Sequence, residues 1–328
     1  MIYTSDPQHW HALLARPILD RILPLPGEVR EFVHQINMAT GVDAVPSSCS
    51  PDDALLADLR SALAGMPAAV LELVGPLLLG VCVGRGLGSS GVTDIVADAV
   101  DGRILGCIVV LDLDLMEAQT ANAWATWKEN LPFGGPGFAL TATIAAPHDD
   151  TRAGALQFLL LHEFGHVVTA GGSFLPRWWE PVPAAYFPFL DLSWRIDEQG
   201  RFAPWRDSDF ELRGVVDFYG VNKLHSDAIV TAYTGLEGSD FPSLYGATNP
   251  YDDFAECFAS YVHSELLGHP YELRVDYHGV PQATLASFWA SPRSDAKRAF
   301  MRALLDEAPA QPVAGVAVAN DARILEAA

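Results

Sequence analysis

One segment, Leu160 to Val168, constrains this chain most, because it places two histidines and a glutamate inside an almost wholly apolar run. On a helix, His162 and His166 share one face, with Cβ atoms roughly 5–6 Å apart. That spacing lets both imidazoles reach a single zinc ion. Polar side chains in an apolar segment are costly to bury unless a metal or hydrogen bonds satisfy them. The segment therefore predicts a buried helix that carries a zinc site.

Glu163 follows His162 directly and points about 100° round the same helix, which places it beside the predicted metal. We expect it to act as the general base that takes a proton from a water molecule at the metal. The helix itself should begin near Thr151 and end at the glycine pair 171–172.

A later acidic segment supplies the candidates for a third metal ligand. The residues after His166 lack the H-x-x-G-x-x-H continuation that would provide a third histidine. Asn249-Pro250 is a helix-start signal, and Asp252 and Glu256 lie four residues apart on the helix that it predicts. A hydrolytic zinc needs a third protein ligand, and a metal-bound histidine usually donates its other N–H to a carboxylate. One helix with two acids can supply both groups, and the spacing leaves open which acid takes which part.

Composition limits the class of protein. A chain of 328 residues, half of them apolar, can bury a large core. A formal net charge of −21 argues against a nucleic-acid-binding surface and against attraction to an anionic membrane. No signal-peptide pattern is visible, and the apolar stretch at 68–83 is interrupted and too short to span a bilayer. We expect a cytoplasmic protein with neutral or basic substrates. Export without an N-terminal signature stays open, as does the oligomeric state.

Periodicity and turn signals predict an α+β chain. Apolar runs or alternation predict strands at residues 77–83, 92–96, 103–111 and 138–146. Helical periodicity predicts helices at about 51–65, 68–74, 115–130 and 211–233. The strand at 138–146 directly precedes the metal helix, so it is either a strand that binds an extended peptide beside the metal or an ordinary sheet edge.

Two further features stay open at this point. Residues 173–210 form a long insertion rich in aromatic residues and proline, which is either a binding loop or a satellite hydrophobic cluster. The four cysteines are expected to be buried thiols, with a Cys82–Cys107 bridge between neighbouring strands as the alternative.

The sequence HEFGH at 162–166, followed by S-x-Y-x-x-x-N-P-x-D-D-F-A-E at 243–256, resembles the zincin peptidases that include the anthrax lethal factor catalytic domain and the clostridial Pro-Pro endopeptidases. The similarity covers residues from about 138 to 265. It implies a zincin-like fold, with a mixed sheet over the HExxH helix and a mainly helical C-terminal lobe. It also implies that Asp252 is the third ligand and that Tyr245 stabilises the oxyanion.

The similarity has one departure. The family has glutamate where this chain has Asp252, and aspartate is one methylene shorter, so its helix must approach the metal by roughly an extra 1–1.5 Å. Aspartate is a zinc ligand in its own right. If the backbone does not approach, either Glu256 is the alternative ligand or the site is a relic that binds metal weakly. Otherwise Glu256 hydrogen-bonds a metal-bound histidine.

These observations predict a zinc metallopeptidase with one Zn²⁺ per chain and a peptide or protein substrate. We expect one catalytic domain at 1–308, with lobes at about 1–172 and 173–308, and a linker and tail at 309–328. One alternative is a zinc amidase, or another hydrolase of non-peptide substrates, with the same site chemistry. The other is a non-catalytic binding protein on the same scaffold, against which the intact Glu163 argues.

Overall fold

The structure is a computed structural model that describes residues 1–183, 185–220 and 223–306. Its helices are α1 Pro7–Leu14, α2 Gly27–Thr40, α3 Asp53–Ala64, α4 Ala68–Val74, α5 Leu113–Met116, α6 Ala121–Asn130, α7 Arg152–Gly171, α8 Leu190–Ser193, α9 Ala228–Glu237, α10 Pro250–Tyr261 and α11 Asp295–Asp306. Its strands are β1 Ile2–Thr4, β2 Ile22–Pro24, β3 Ser47–Ser48, β4 Leu78–Arg85, β5 Gly91–Asp98, β6 Ile104–Asp112, β7 Phe133–Gly134, β8 Phe138–Thr143, β9 Trp194–Ile196, β10 Phe202–Pro204, β11 Leu224–His225, β12 Glu272–Tyr277 and β13 Val280–Thr284. The predicted linker and tail at 309–328 lie outside the described residues.

The largest sheet is mixed, with strand order β1-β5-β6-β4-β2. The short strand β3 pairs antiparallel with the end of β4. Strands β5 and β6 form the predicted antiparallel hairpin, whose turn contains Gly102 at a φ of 72°. Strands β1, β4 and β2 add in parallel. One face of this sheet packs on α7, mainly through β5 and β6. The predicted α+β class is confirmed, and the mixed sheet does lie against the helix that carries the histidines.

Both faces of this sheet are covered, which explains why its strands are apolar at nearly every position. Along β6, Cys107 and Val109 belong to the core around α7, whereas Ile108 belongs to a smaller core under α1 and α2. Cys82 of β4 also belongs to the smaller core, so Cys82 and Cys107 point to opposite faces of the sheet. No disulfide joins them, and all four cysteines are free thiols.

Helix α7 is the centre of the fold, with thirteen of its twenty residues buried. Its N-cap is Thr151, whose hydroxyl accepts a hydrogen bond from the Gly154 amide at 3.2 Å, and its C-cap is Gly172. Both predicted ends are therefore confirmed.

Two predicted helices differ from the structure. The helix expected over 115–130 is interrupted, because Thr120 caps a new helix, α6, after the short α5. The helix expected over 211–233 is wrong for most of its length, since among its described residues the α-helix begins at Ala228 and only a 3-10 turn, Arg213–Val215, precedes it. Leu212 adopts a left-handed φ of 69°, which excludes α-helical backbone there, and Arg213 bonds the Ala247 carbonyl oxygen at 3.1 Å.

The two expected lobes share secondary structure. Strand β8 pairs antiparallel with β12, which lies far along the chain, and the two form a three-stranded sheet with β13. The segment predicted at 138–146 is thus an ordinary sheet edge, because β8 borders that sheet and does not line the cavity at the histidines. The C-terminal half has helices α8–α11 and also the shorter strands β9–β13.

Within the described part of the chain, no single helix has the length and hydropathy needed to cross a membrane. Helices α3 and α4 meet that test only when they are taken together, and they are bent by 103° relative to each other.

Candidate metal centre

Helices α7 and α10 pack against each other and bring three possible ligand atoms together. His162 Nε2 lies 3.3 Å from His166 Nε2. Asp252 Oδ1 lies 3.4 Å from His166 Nε2 and 3.8 Å from His162 Nε2. Donor atoms around a tetrahedral zinc, with bonds of about 2.0–2.1 Å, lie roughly 3.3–3.4 Å apart. The three donors therefore fit a zinc ion, and no other group of three such residues in the described ranges is similarly close.

Aspartate reaches the histidines because α10 approaches α7 very closely. A Cβ atom on Gly165 would lie only 2.7 Å from Ala255 Cα and 3.1 Å from Ala255 Cβ. Carbon atoms in ordinary contact are about 3.5–4.0 Å apart, so only glycine allows this helix spacing. The close contact of α7 with α10 at Gly165 therefore provides the shorter helix separation that an aspartate ligand requires.

The carboxylate of Asp252 is oriented by the helix start that precedes it. Asn249 caps α10 by accepting hydrogen bonds from the Tyr251 and Asp252 amides at 3.0 Å. The Asn249 amide group also donates to Asp252 Oδ2 at 2.5 Å. Oδ2 is occupied by this donor, which leaves Oδ1 as the oxygen that faces the histidines.

Glu256 lies one turn further along α10, on the far side of the His162 ring. Its Oε1 is 2.8 Å from His162 Nδ1, although the ring N–H is not aligned along that line. Lys128 donates to Oε1 at 2.6 Å, and Ser243 donates to Oε2 at 2.7 Å. Burial opposes the charge of Glu256, but Lys128 and His162 hold the pKa of this carboxyl well below its usual range. Glu256 therefore contacts the imidazole nitrogen that faces away from the cluster of donors.

The charges within the donor cluster are mutually stabilising. Burial alone would lower the pKa of His166, but its hydrogen bond to Asp252 and the negative charge of that group raise it overall. Burial likewise opposes ionisation of Asp252, and contact with His166 lowers the pKa of this carboxyl below its ordinary value. A cationic centre between these residues is thus electrostatically favoured.

A cavity of about 260 Å³ opens at the three donors, and Glu163 and Tyr245 also line it. The Tyr245 ring packs on the His162 ring, with centroids 5.6 Å apart. Burial, together with the charge of Asp252, raises the pKa of Tyr245 well above its usual value, so the phenol keeps its proton. The structure therefore places these five predicted residues around one cavity, with Glu256 directly behind it.

A second cavity, of about 240 Å³, lies between α3 and the start of α7. It is lined by His148, His263 and His269 among others, but by none of the predicted site residues. The cavity at the donor cluster is the one with the chemistry of a metal site.

Sequence reasoning missed two lysines that support the site. The chain has only three lysines, and the side chains of Lys128 and Lys297 are buried. Lys128 bonds Glu256, and Lys297 donates to both oxygens of Asp253 at 2.6 and 2.7 Å. Neither α6 nor α11 is an apolar helix, so no local sequence pattern showed that these lysines are buried beside carboxylate partners.

Part of the aromatic insertion forms a wall of the cavity. Trp178 donates from its indole N–H to Asp94 Oδ1 at 3.2 Å and packs edge-on against Tyr251, with centroids 6.1 Å apart. It thus bridges from β5 to α10 across the cavity. Other aromatic residues of the insertion, such as Phe189 and Trp194, are fully buried in the main core. The segment thus supplies one wall of the cavity, and its buried aromatic residues belong to the main core rather than to the expected satellite cluster.

Comparison with protein-family models, with curated proteins and with solved structures gives no match. Function must therefore be argued from the geometry and chemistry of the site itself.

Proposed function

We propose that this chain is a zinc-dependent metallopeptidase with a zincin-like fold, in which His162, His166 and Asp252 hold one Zn²⁺. The observation that carries the proposal is the set of three donor-atom distances, 3.3, 3.4 and 3.8 Å, at a cavity that Glu163 also lines. Two imidazoles and one carboxylate, with room for a further ligand, are typical of catalytic zinc sites.

The surrounding side chains match the parts that amide hydrolysis requires. A zinc ion, when bound, supplies Lewis acidity towards a carbonyl oxygen and makes water more acidic. Glu163 takes the proton of the attacking water on its carboxylate and later passes it to the leaving amine. The protonated Tyr245 donates a hydrogen bond to the oxygen that becomes negatively charged. The charge of Glu256, 2.8 Å from His162 Nδ1, favours the ring orientation that turns Nε2 towards the other two donors.

The strand that lines the cavity favours a peptide over a small amide as the substrate. Strand β1 pairs with β5 only at residues 96–98, whereas residues 91–93 of β5 line the cavity. An extended peptide can add to such an open strand edge through backbone hydrogen bonds. No lysine or arginine is among the residues that line the cavity. This composition and the net charge of −21 both suit neutral or basic peptides.

The test compares wild type with Glu163→Gln, a variant that keeps the shape of the side chain but cannot act as the base. Both proteins are loaded with zinc and incubated with a library of peptides from a digested proteome, and new termini are identified by mass spectrometry. We expect about one zinc per chain in both proteins and cleavage by wild type alone.

A variant with His162→Ala and His166→Ala serves as the metal control and should bind no zinc. Equal cleavage by wild type and Glu163→Gln would contradict the proposal, as would zinc retention by the double histidine variant. Hydrolysis of small amides without cleavage of any peptide would favour the amidase alternative.

A further inference from the structure

Strand β5 contacts both oxygens of the Glu163 carboxylate. The Thr93 hydroxyl donates to Glu163 Oε2 at 2.7 Å. A Cβ atom on Gly91 would lie 2.6 Å from Glu163 Oε1, so the missing side chain there is what leaves room for this oxygen. Residues two apart on a strand share a face, which explains how one strand reaches both oxygens.

The hydroxyl of Thr93 is itself firmly placed. Thr93 pairs with Val109 inside the β5–β6 ladder, and a β-branched side chain has few χ1 rotamers. The same hydroxyl lies 3.2 Å from the Glu163 carbonyl oxygen, but the carboxylate oxygen at 2.7 Å is the closer and charged acceptor. Among the hydrogen bonds of the described residues, none reaches Glu163 Oε1.

We infer that Thr93 is a positioning residue for Glu163: its hydroxyl fixes Oε2, so that Oε1, next to Gly91, is the oxygen that takes the proton. This inference rests on the proposed function and extends it to the strand that borders the cleft. Glu163 has several rotatable bonds, and a general base acts only within hydrogen-bond reach of the proton that it removes. Holding one oxygen therefore keeps the other in a productive place.

The experiment compares three zinc-loaded proteins: wild type, Thr93→Val and Thr93→Ser. Valine keeps the shape of threonine and removes only the hydroxyl, whereas serine keeps the hydroxyl and removes only the methyl group. The first measurement is the affinity for acetohydroxamic acid by calorimetry, because this metal-directed probe has an acidic proton for a neighbouring base to accept. We expect about tenfold weaker binding or more by Thr93→Val, the loss typical of a hydrogen bond to a charged group, and binding within about twofold of wild type by Thr93→Ser.

The second measurement is steady-state kinetics with a peptide identified from the library. Thr93→Val should lower kcat at least about tenfold with KM nearly unchanged, and Thr93→Ser should restore kcat. Zinc affinity and melting temperature should be the same in all three proteins. A role in packing alone would not produce this separation of kcat from KM, or the rescue by serine.

A second variant, Gly91→Ala, approaches the same carboxylate from its other oxygen. The added Cβ would displace Oε1, so this variant should also bind acetohydroxamic acid more weakly while it retains zinc. Equal probe binding and kcat in wild type and Thr93→Val would overturn the inference, and so would a serine variant that behaves like the valine variant. A wild type that binds no zinc would instead overturn the proposed function, and the inference with it.

Discussion

Replacing Gly165 with alanine should weaken metal binding although Gly165 has no side chain that could contact the metal site. The new Cβ would lie 2.7 Å from Ala255 Cα, against an ordinary contact distance of at least 3.4 Å. Helices α7 and α10 must therefore separate by about 0.7 Å or more. Bond lengths at a metal site hold to within about 0.2 Å, so Asp252 on the displaced helix can no longer reach a metal held by the histidines. We expect the zinc affinity to fall by about 10–100-fold, as it does when a residue that positions a metal ligand, but does not bind the metal, is replaced.

A second substitution tests whether helix spacing is the cause. Glutamate is longer than aspartate by one C–C bond, about 1.5 Å, so Asp252→Glu should restore reach in the Gly165→Ala background. In the wild-type background the same change should overshoot and weaken zinc binding. Overpacking should cost about 1–3 kcal/mol of folding free energy in both Gly165→Ala proteins, so only the metal affinity separates them.

The assay is competition for zinc against a chromophoric chelator at fixed pH. Gly27→Ala is the matched control, because no atom lies within 4 Å of the Cβ it would add and the site is remote from α2; its zinc affinity should equal that of wild type. The reasoning is refuted if Asp252→Glu weakens zinc binding by the same factor in the wild-type background and in the Gly165→Ala background. Such additive effects would mean that the distance between the helices does not determine whether aspartate or glutamate binds better.

Three other outcomes follow from the same geometry. Asp252→Ala should lower zinc affinity more than Glu256→Ala, for which a loss of about 10–100-fold is expected; equilibrium dialysis that gives the reverse order would exchange their roles. Tyr245→Phe should lower turnover about 10²–10³-fold with zinc content and melting temperature unchanged, and equal peptide-cleavage rates would remove the hydroxyl from the mechanism. Burial lowers the pKa of His263 from 6.5 to about 4, so between these pH values the unfolded chain binds a proton that the folded chain does not. The stability that comes from the neutral, buried ring is therefore complete above pH 6.5 and is lost as the pH falls towards 4. Urea unfolding at pH 7 and pH 5 should therefore show that wild type loses about 2 kcal/mol more than His263→Gln, and equal losses would contradict this account.

The features that could be predicted from the sequence are those whose signals are local. The caps at Thr151 and Asn249 act within one helical turn, and the hairpin at Asp101-Gly102 joins strands that are adjacent in the chain. The pairs of His162 with His166 and of Asp252 with Glu256 depend only on helical spacing. Each of these patterns carries its own geometry, so no knowledge of the tertiary structure was needed.

The errors arose where distant contacts decide the structure. Helical periodicity over 211–233 is real, but Arg213 bonds a loop 34 residues away and the backbone at Leu212 is left-handed. Strand 138–146 is adjacent to α7 in sequence, yet it pairs with β12, and the strand at the cleft is β5. Periodicity predicts that a strand exists, but it carries no information on the partner or on the ligand that the strand borders.

The three acids of α10 show why this helix has one position against α7. Asp252 faces the histidines, Asp253 is bound by Lys297, and Glu256 is bound by Lys128. A buried carboxylate left without its partner is strongly destabilising, so any rotation of the helix that satisfied one acid at the expense of another would be penalised. Apolar packing alone tolerates small rotations, because one methyl group substitutes for another. The chain has 41 acidic residues and only three lysines, and two of those lysines pair with acids of this helix. Charge pairing, in addition to the apolar core, therefore determines where Asp252 points.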